Sequence, residues 1–358
     1  MKKIGILNFQ YSTHNYGAVL QAAGLEHICR QLGYEAAHLD FMAKSKITIK
    51  GRIGSLLRKL GLRKMPKTNP IANEEAFERF RQRFINRTKQ IASAKEFRAI
   101  AQGFDATIVG SDQVWRPAFA KDTIAFFLGY VPEGVHRIAY AASFGTATWE
   151  QANDTALTQK VQKELKKFKA ISCREESGVA ICKNVFGVEA VHVLDPLLLV
   201  DDSFFNHVTA ESSIQPGAKI VYYKLDTTQE FQEDLKKVGA HMGSDVVNIY
   251  LKDSSVLEYR EVHDWVGLIL NSETVVTDSF HCICLALRFG KKVIYCPNDK
   301  RGQTRLESLF NKLEVELEPM DIELNTPMFK LSRRGDIGAI LEEERVHSMK
   351  FLKGALHD

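Results

Sequence analysis

Short apolar runs rich in β-branched residues recur along the chain, several of them closed by glycine, asparagine or aspartate. Between them lie stretches whose apolar residues return every third or fourth position. The first pattern is that of a buried strand, the second that of a helix covering it. It predicts strands at Lys3–Leu7, Ala36–Leu39, Thr107–Val109, Arg137–Ala141, Ala170–Cys173 and Val191–Leu194, then at Lys219–Tyr223, Asp245–Ile249, Thr274–Thr277 and Lys292–Tyr295. Strand and helix in alternation imply parallel sheets with helices on their faces. Proline, acidic residues and a polar stretch break the pattern between Asp195 and Gly217. The expectation is therefore an α/β protein of two Rossmann-like domains facing a cleft, over residues 1–205 and 206–325. Residues 326–358 then form a helical segment, capped by Asp336, whose Ile337, Ile340, Leu341 and Val346 pack back across both domains.

The segment Thr274-Val-Val-Thr-Asp-Ser-Phe-His281 sets Ser279 and His281 at the C-terminal end of a strand and the first turn of a helix that closes at Gly290. Open α/β sheets bind ligands at such ends, where backbone N–H groups and the helix dipole favour an anion. A histidine there can hold a phosphate and move a proton, or simply cap the helix. Four other strand exits share this layout. Asn15, Tyr16 and Gly17 follow the first strand; Ser111, Asp112 and Arg116 follow the third; Ser143 and Gly145 lie in a small-residue turn; Arg174 leaves a strand within Ser172-Cys-Arg-Glu-Glu-Ser177. A single arginine of this kind is commonly an ion-pair partner, but several exits bearing Arg, His, Ser and Asp together suggest an anionic substrate in a cleft.

Residues 44–67 stand apart. They hold nine basic residues (Lys44, Lys46, Lys50, Arg52, Arg58, Lys59, Arg63, Lys64 and Lys67) and no acidic one, with Ile53, Leu56, Leu57 and Leu60 at helical spacing. One apolar and one cationic face suit contact with an anionic membrane surface; a solvated basic loop docked on the protein's own core is the alternative.

Length and charge fit an ordinary enzyme. With 358 residues and a formal charge of +4, the chain is too weakly basic for a dedicated nucleic-acid binder, so no nucleic-acid partner is expected. No apolar run is long enough to span a bilayer, and Met1-Lys-Lys-Ile-Gly-Ile-Leu7 leads into a strand rather than a signal peptide, so a cytoplasmic location is expected. Cys29, Cys173, Cys182, Cys282, Cys284 and Cys296 lie scattered in apolar contexts and read as reduced, buried side chains; no metal-binding cluster and no cofactor is expected.

Asn15-Tyr-Gly-Ala-Val-Leu-Gln-Ala22, Gly110-Ser-Asp-Gln-Val-Trp-Arg-Pro117, Tyr140-Ala-Ala-Ser-Phe-Gly145, Ser172-Cys-Arg-Glu-Glu-Ser177, Leu194-Asp-Pro196 and Thr277-Asp-Ser-Phe-His281 resemble, in the same order, the motifs of the polysaccharide pyruvyl transferase family. The resemblance implies a glycosyltransferase-B-like arrangement. It also implies transfer of an enolpyruvyl-derived unit from phosphoenolpyruvate to a sugar as a cyclic pyruvate ketal, the sugar being carried on a lipid-linked oligosaccharide at the inner face of the membrane. Better-studied members carry Ser-Arg-Leu-His where this chain has Asp278-Ser-Phe-His281, so an arginine beside the histidine is missing. A lysine that members place further on is matched by Lys300 or Arg301. A donor bearing a phosphate and a carboxylate needs several cations, for which Arg116, Arg174, Arg301 and Arg305 are candidates with Lys300 in reserve. His281 and Asp112 are the candidate acid and base. Two other readings stay open: a nucleotide-sugar glycosyltransferase of the same fold class, and a non-catalytic protein of polysaccharide assembly.

Overall fold

The computed structural model describes residues 2–42, 71–214, 217–224, 226–252, 256–298, 303–332 and 336–357. The basic stretch 44–67, Lys300 and Arg301 therefore lie outside the described residues.

The first sheet has six parallel strands in the order β2-β1-β3-β4-β5-β6. They are β1 (Lys3–Leu7), β2 (Glu35–His38), β3 (Ala106–Val109), β4 (His136–Ala142), β5 (Ala170–Cys173) and β6 (Val191–His192). The second sheet has the order β13-β14-β12-β11-β7-β8, built from β7 (Ile220–Tyr223), β8 (Val246–Asn248), β11 (Thr274–Thr277), β12 (Lys292–Tyr295), β13 (Glu316–Pro319) and β14 (Phe329–Ser332). A short antiparallel pair, β9 (Leu251–Lys252) and β10 (Glu258–Tyr259), lies outside both sheets. Buried β-branched runs such as Thr274–Thr277, shielded on both faces, give the central strands. β13 and β14 were not among the expected strands. They form an antiparallel edge hairpin whose Glu-Leu-Glu-Pro strand is exposed throughout, so no apolar run marks it. The second sheet thus continues to Ser332, past the boundary expected at 325.

The two sheets share one core. Tyr16, in the first turn of the helix Tyr16–Gln31, stacks on Trp265 at 5.0 Å with rings parallel to 1°. Its hydroxyl donates towards the carbonyls of Tyr250 and Arg260 and accepts from the Arg260 amide. The C-terminal helix Ile337–Leu356 packs back on the first domain, where Ser348 Oγ accepts from the Leu194 amide. It also meets the second domain through Glu344, paired with Lys312 at 2.6 Å. Val346, expected on its apolar face, is instead 61% exposed, because Ser348, Leu352 and Ala355 carry the buried side. No helix among the described residues is long and apolar enough to cross a membrane.

Candidate active site

The C-terminal ends of β3, β5, β6 and β11 converge on one buried charge cluster. Arg174, just past β5, is its centre. Its Nη1 donates to Asp195 Oδ2 at 2.8 Å and its Nη2 to Asp112 Oδ1 at 3.1 Å. Nη1 also lies 3.0 Å from His281 Nε2. The Phe280 ring covers the guanidinium from the second domain, its centroid 4.3 Å from Cζ. Ser111 Oγ donates to the same Asp195 oxygen at 2.8 Å. Asp112 holds a left-handed backbone, φ 77°, which aspartate tolerates better than most residues and which turns its carboxylate back to Arg174.

His281 reaches the cluster because nothing stands between it and Gly17. A Cβ on Gly17 would lie 2.3 Å from His281 Nδ1, so any side chain there would displace the ring. A guanidinium has only donors, so while Arg174 points at Nε2 that nitrogen accepts. Once Nε2 takes a proton, Asp195 Oδ2, 3.6 Å away, is the carboxylate that faces it. Nε2 therefore has a donor, Arg174, and a carboxylate, Asp195, as its two polar neighbours.

Burial works against the charged form of Asp195, yet His281 and Arg174 outweigh it and hold the carboxyl well below the usual range. Asp112 is likewise pulled down despite burial, by Arg174, His281 and Arg305. Arg174, desolvated but flanked by Asp195 and Asp112, stays charged. Arg305 departs in the other direction. Burial and the neighbouring Arg174 push its guanidinium down to about 10, only partly offset by Asp112 and Glu175. An added anion would relieve it.

A cleft of about 870 Å³ opens above the cluster, lined by Asn15, Asp112, Arg116, Ser279, His281 and Arg305 among others. Six of the expected residues thus meet there. Asn15 also caps the helix Tyr16–Gln31 through the Ala18 amide at 3.2 Å. Arg116 is paired with Glu150 at 2.7 Å and lies 4.6 Å from the Phe119 ring. Arg174 does not line the cleft; it is 2% exposed and lies behind His281 and Phe280. Tyr16 belongs to the interdomain core, not the cleft, because its ring turns towards Trp265. Ser111 and Ser143 are fully buried beneath the surface. Gly145, φ 69°, faces Gln113, whose Oε1 would lie 2.1 Å from an added Cβ. A larger hollow of about 1170 Å³ lies at the outer edge of the second sheet, against β8 and the helix Gln229–Met242, and holds none of the motif residues.

Three contributors were not singled out from the sequence. Asp195, quoted only as part of the Leu194-Asp-Pro196 motif, accepts from the Leu197 amide through Oδ1 while Oδ2 serves Arg174. Glu175 is buried with Oε1 accepting from the amides of Phe144 and Gly145, which fixes the turn after β4. Lys224, one residue past β7, pairs with Asp278 at 3.0 Å. A lysine at a strand exit was the only available signal for the last.

Solved structures similar to this chain are distant. S. aureus MnaA bound to UDP shares 13% identity over 82% of this chain and 78% of that one, with a TM-score of 0.43. UDP-GlcNAc 2-epimerase from Neisseria meningitidis bound to UDP-GlcNAc shares 12% over 98% and 94%, at 0.43. Arabidopsis thaliana UGT89C1 complexed with UDP shares 10% over 99% and 95%, at 0.44. The two-domain arrangement rests on the sheets and the cleft themselves. No curated protein sequence matches the chain. Residues 15–300, by contrast, match the sequence profile of polysaccharide pyruvyl transferases, a span that contains the expected residues gathered at the cleft apart from Arg305. The chain belongs to the polysaccharide pyruvyl transferase family.

Proposed function

We propose that this transferase moves the enolpyruvyl unit of phosphoenolpyruvate onto two hydroxyls of one sugar, forming a cyclic ketal and releasing phosphate. The observation that carries the reading is the joining of Arg174 and Asp195 of the first domain to His281 of the second at the floor of one cleft. The donor's phosphate and carboxylate would be held by Arg305 and Arg116, with Ser279 and the start of the helix Phe280–Arg288 adding backbone dipoles. Lys300 or Arg301 would complete the cation set.

In the reaction the methylene carbon gains a proton and becomes a methyl group. One sugar hydroxyl attacks the central carbon, the C–O bond to phosphate breaks, and a second hydroxyl closes the ring. Of the two hydroxyl protons lost, one balances the methyl group and the other leaves with phosphate. His281 would carry a proton between these positions. Asp195 would steady the ring while it is charged, and Arg174 while Nε2 is bare. Asp112, held ionised, would serve as base or as partner to Arg174 rather than as a proton donor. The acceptor would be a lipid-linked oligosaccharide on the cytoplasmic side, with the basic residues 44–67 holding the enzyme near anionic lipid.

The test is phosphate release from phosphoenolpyruvate with a panel of galactose, mannose and glucose acceptors. Release that needs a sugar, with a ketal methyl signal in the product's NMR spectrum, is expected. Inertness with every acceptor, or sugar transfer from a nucleotide sugar instead, would overturn the reading.

A further inference from the structure

The loop between β1 and the helix Tyr16–Gln31, Asn8-Phe-Gln-Tyr-Ser-Thr-His-Asn15, carries no aspartate, glutamate, lysine or arginine, yet much of it lines the cleft. It is held from behind. Arg81, 4% exposed in the helix Glu75–Phe84, donates through Nη1 to the carbonyls of Gln10 at 3.3 Å and Ser12 at 2.6 Å. Gln10 Nε2 donates to Asp40 Oδ1 at 2.9 Å, and Asn8 Nδ2 to the Gly110 carbonyl at 3.3 Å. The residues on either side of Tyr11 are thus tied down, and Tyr11 lines the cleft between them. Its ring meets Phe9 edge-on at 6.0 Å, and Phe9 meets Phe126 at 5.0 Å. Its hydroxyl has no hydrogen-bond partner among the described residues. Burial, and after it the Asp112 carboxylate, push the phenol up to about 12, so it keeps its proton at neutral pH.

We propose that the loop of residues 8–15 is the subsite for the accepting sugar, and that the Tyr11 hydroxyl bonds to one of the sugar's hydroxyls. The proposal rests on the pyruvyl-transfer reading above. A protonated phenol both donates and accepts, as a sugar hydroxyl does, so the two pair without either carrying charge. The half-buried rings of Phe9 and Tyr11 offer apolar surface that the C–H face of a pyranose would cover. The donor is directed elsewhere. Its phosphate and carboxylate call for cations, which this loop lacks and which Arg116 and Arg305 bring to the cleft from other elements. Because β1 and β3 are adjacent parallel strands, Tyr11 and Asp112 follow neighbouring strand ends, and a sugar held at Tyr11 lies beside the floor where His281 is placed. His14, three residues on, is exposed, so a sugar attached to a carrier has a way out to solvent. With Arg81 fixing the loop beforehand, little ordering cost falls on binding.

The test compares the unmodified enzyme with Tyr11→Phe, which removes only the hydroxyl, and Tyr11→Ala, which removes the ring as well. Tyr11→Phe is expected to raise the KM of the sugar acceptor by about tenfold, with the phosphoenolpyruvate KM and the unfolding midpoint moving little; Tyr11→Ala should raise the acceptor KM further. An unchanged acceptor KM in Tyr11→Phe would overturn the proposal, and so would an equal rise in the phosphoenolpyruvate KM, which would put the hydroxyl on the donor. Saturation-transfer NMR with methyl galactoside, mannoside and glucoside, without donor, keeps this result separate from the reaction itself. Transfer to at least one of these sugars that weakens in Tyr11→Phe and disappears in Tyr11→Ala supports the subsite even if phosphoenolpyruvate proves inert. Transfer that both variants leave unchanged, or none with the unmodified protein, counts against the subsite even if phosphoenolpyruvate is consumed.

Discussion

The two domains bring unlike things to the same cleft. The first supplies charges that already satisfy one another: Arg174 with Asp195 and Asp112, Ser111 with Asp195, Glu175 with two backbone amides. The second supplies His281, whose Nε2 lies between Arg174 and Asp195, and Arg305, whose guanidinium is pushed down to about 10. One side is a frame of paired charges, and the other is the reactive side that faces the cleft. Damage to the frame should therefore unfold as well as inactivate, whereas damage to the second domain's groups should inactivate alone.

Arg174→Ala tests the frame and carries the largest expected effect. It strands two buried carboxylates, so stability should fall by about 3–5 kcal/mol and turnover should vanish. The pH dependence sharpens the point. Asp195 and Asp112 are held below the ordinary 3.8, so each contributes stability that is present above that value and lost as the pH falls below it, through the lower folded-state value. Without Arg174 that contribution shrinks, and the deficit seen in denaturant titrations should be greatest near neutrality and fall away towards low pH. An Arg174→Ala protein as stable as the unmodified one would break the comparison at once.

His281→Ala should cut phosphate release by at least about 10²-fold, the scale of a lost proton-transfer group, while its unfolding midpoint stays close to the original. A large loss of stability with little loss of turnover would reverse the assignment of frame and reactive side. Arg305→Ala should do less. Removing one charge-assisted contact to an anion costs on the order of 1.5–3 kcal/mol, so the phosphoenolpyruvate KM should rise about tenfold or more with the acceptor KM little changed. An equal rise in both constants would move Arg305 out of the donor site.

The frame and the reactive side were not equally legible in the sequence. The runs that became β1, β3, β4, β5 and β11 announce themselves as short apolar stretches, so the polar side chains just past each strand end could be picked out directly. Contacts made at right angles to the chain could not. Asp195 has two oxygens with two jobs, and its local one, capping Leu197, hid its distant one at Arg174. Tyr16 sits between Asn15, which lines the cleft, and Gly17, which makes room for His281, yet the turn of the helix points it at Trp265. Lys224 and Asp278 each lie one residue past the ends of neighbouring parallel strands, β7 and β11, a pairing that only the sheet order reveals.

The smallest expected effect concerns the basic residues 44–67, which belong to the first half of the chain but to neither the frame nor the reactive side. Nine cations without an acid among them cannot be satisfied by one another, in contrast to the paired charges around Arg174. If their partner is the anionic surface that carries a lipid-linked acceptor, each should contribute independently, at roughly 1 kcal/mol per residue near the membrane. Single Gln substitutions at Arg58, Lys59, Arg63 and Lys64 should then each weaken co-sedimentation with anionic vesicles by about fivefold at low salt, and by less at high salt as screening shortens the reach of the charges. Activity on a short soluble acceptor should not change, because neither the donor cations nor the residues lining the cleft are touched. Failure of the unmodified protein to sediment at low salt would remove the membrane from the picture and leave the segment as a basic surface feature unconnected with the cleft.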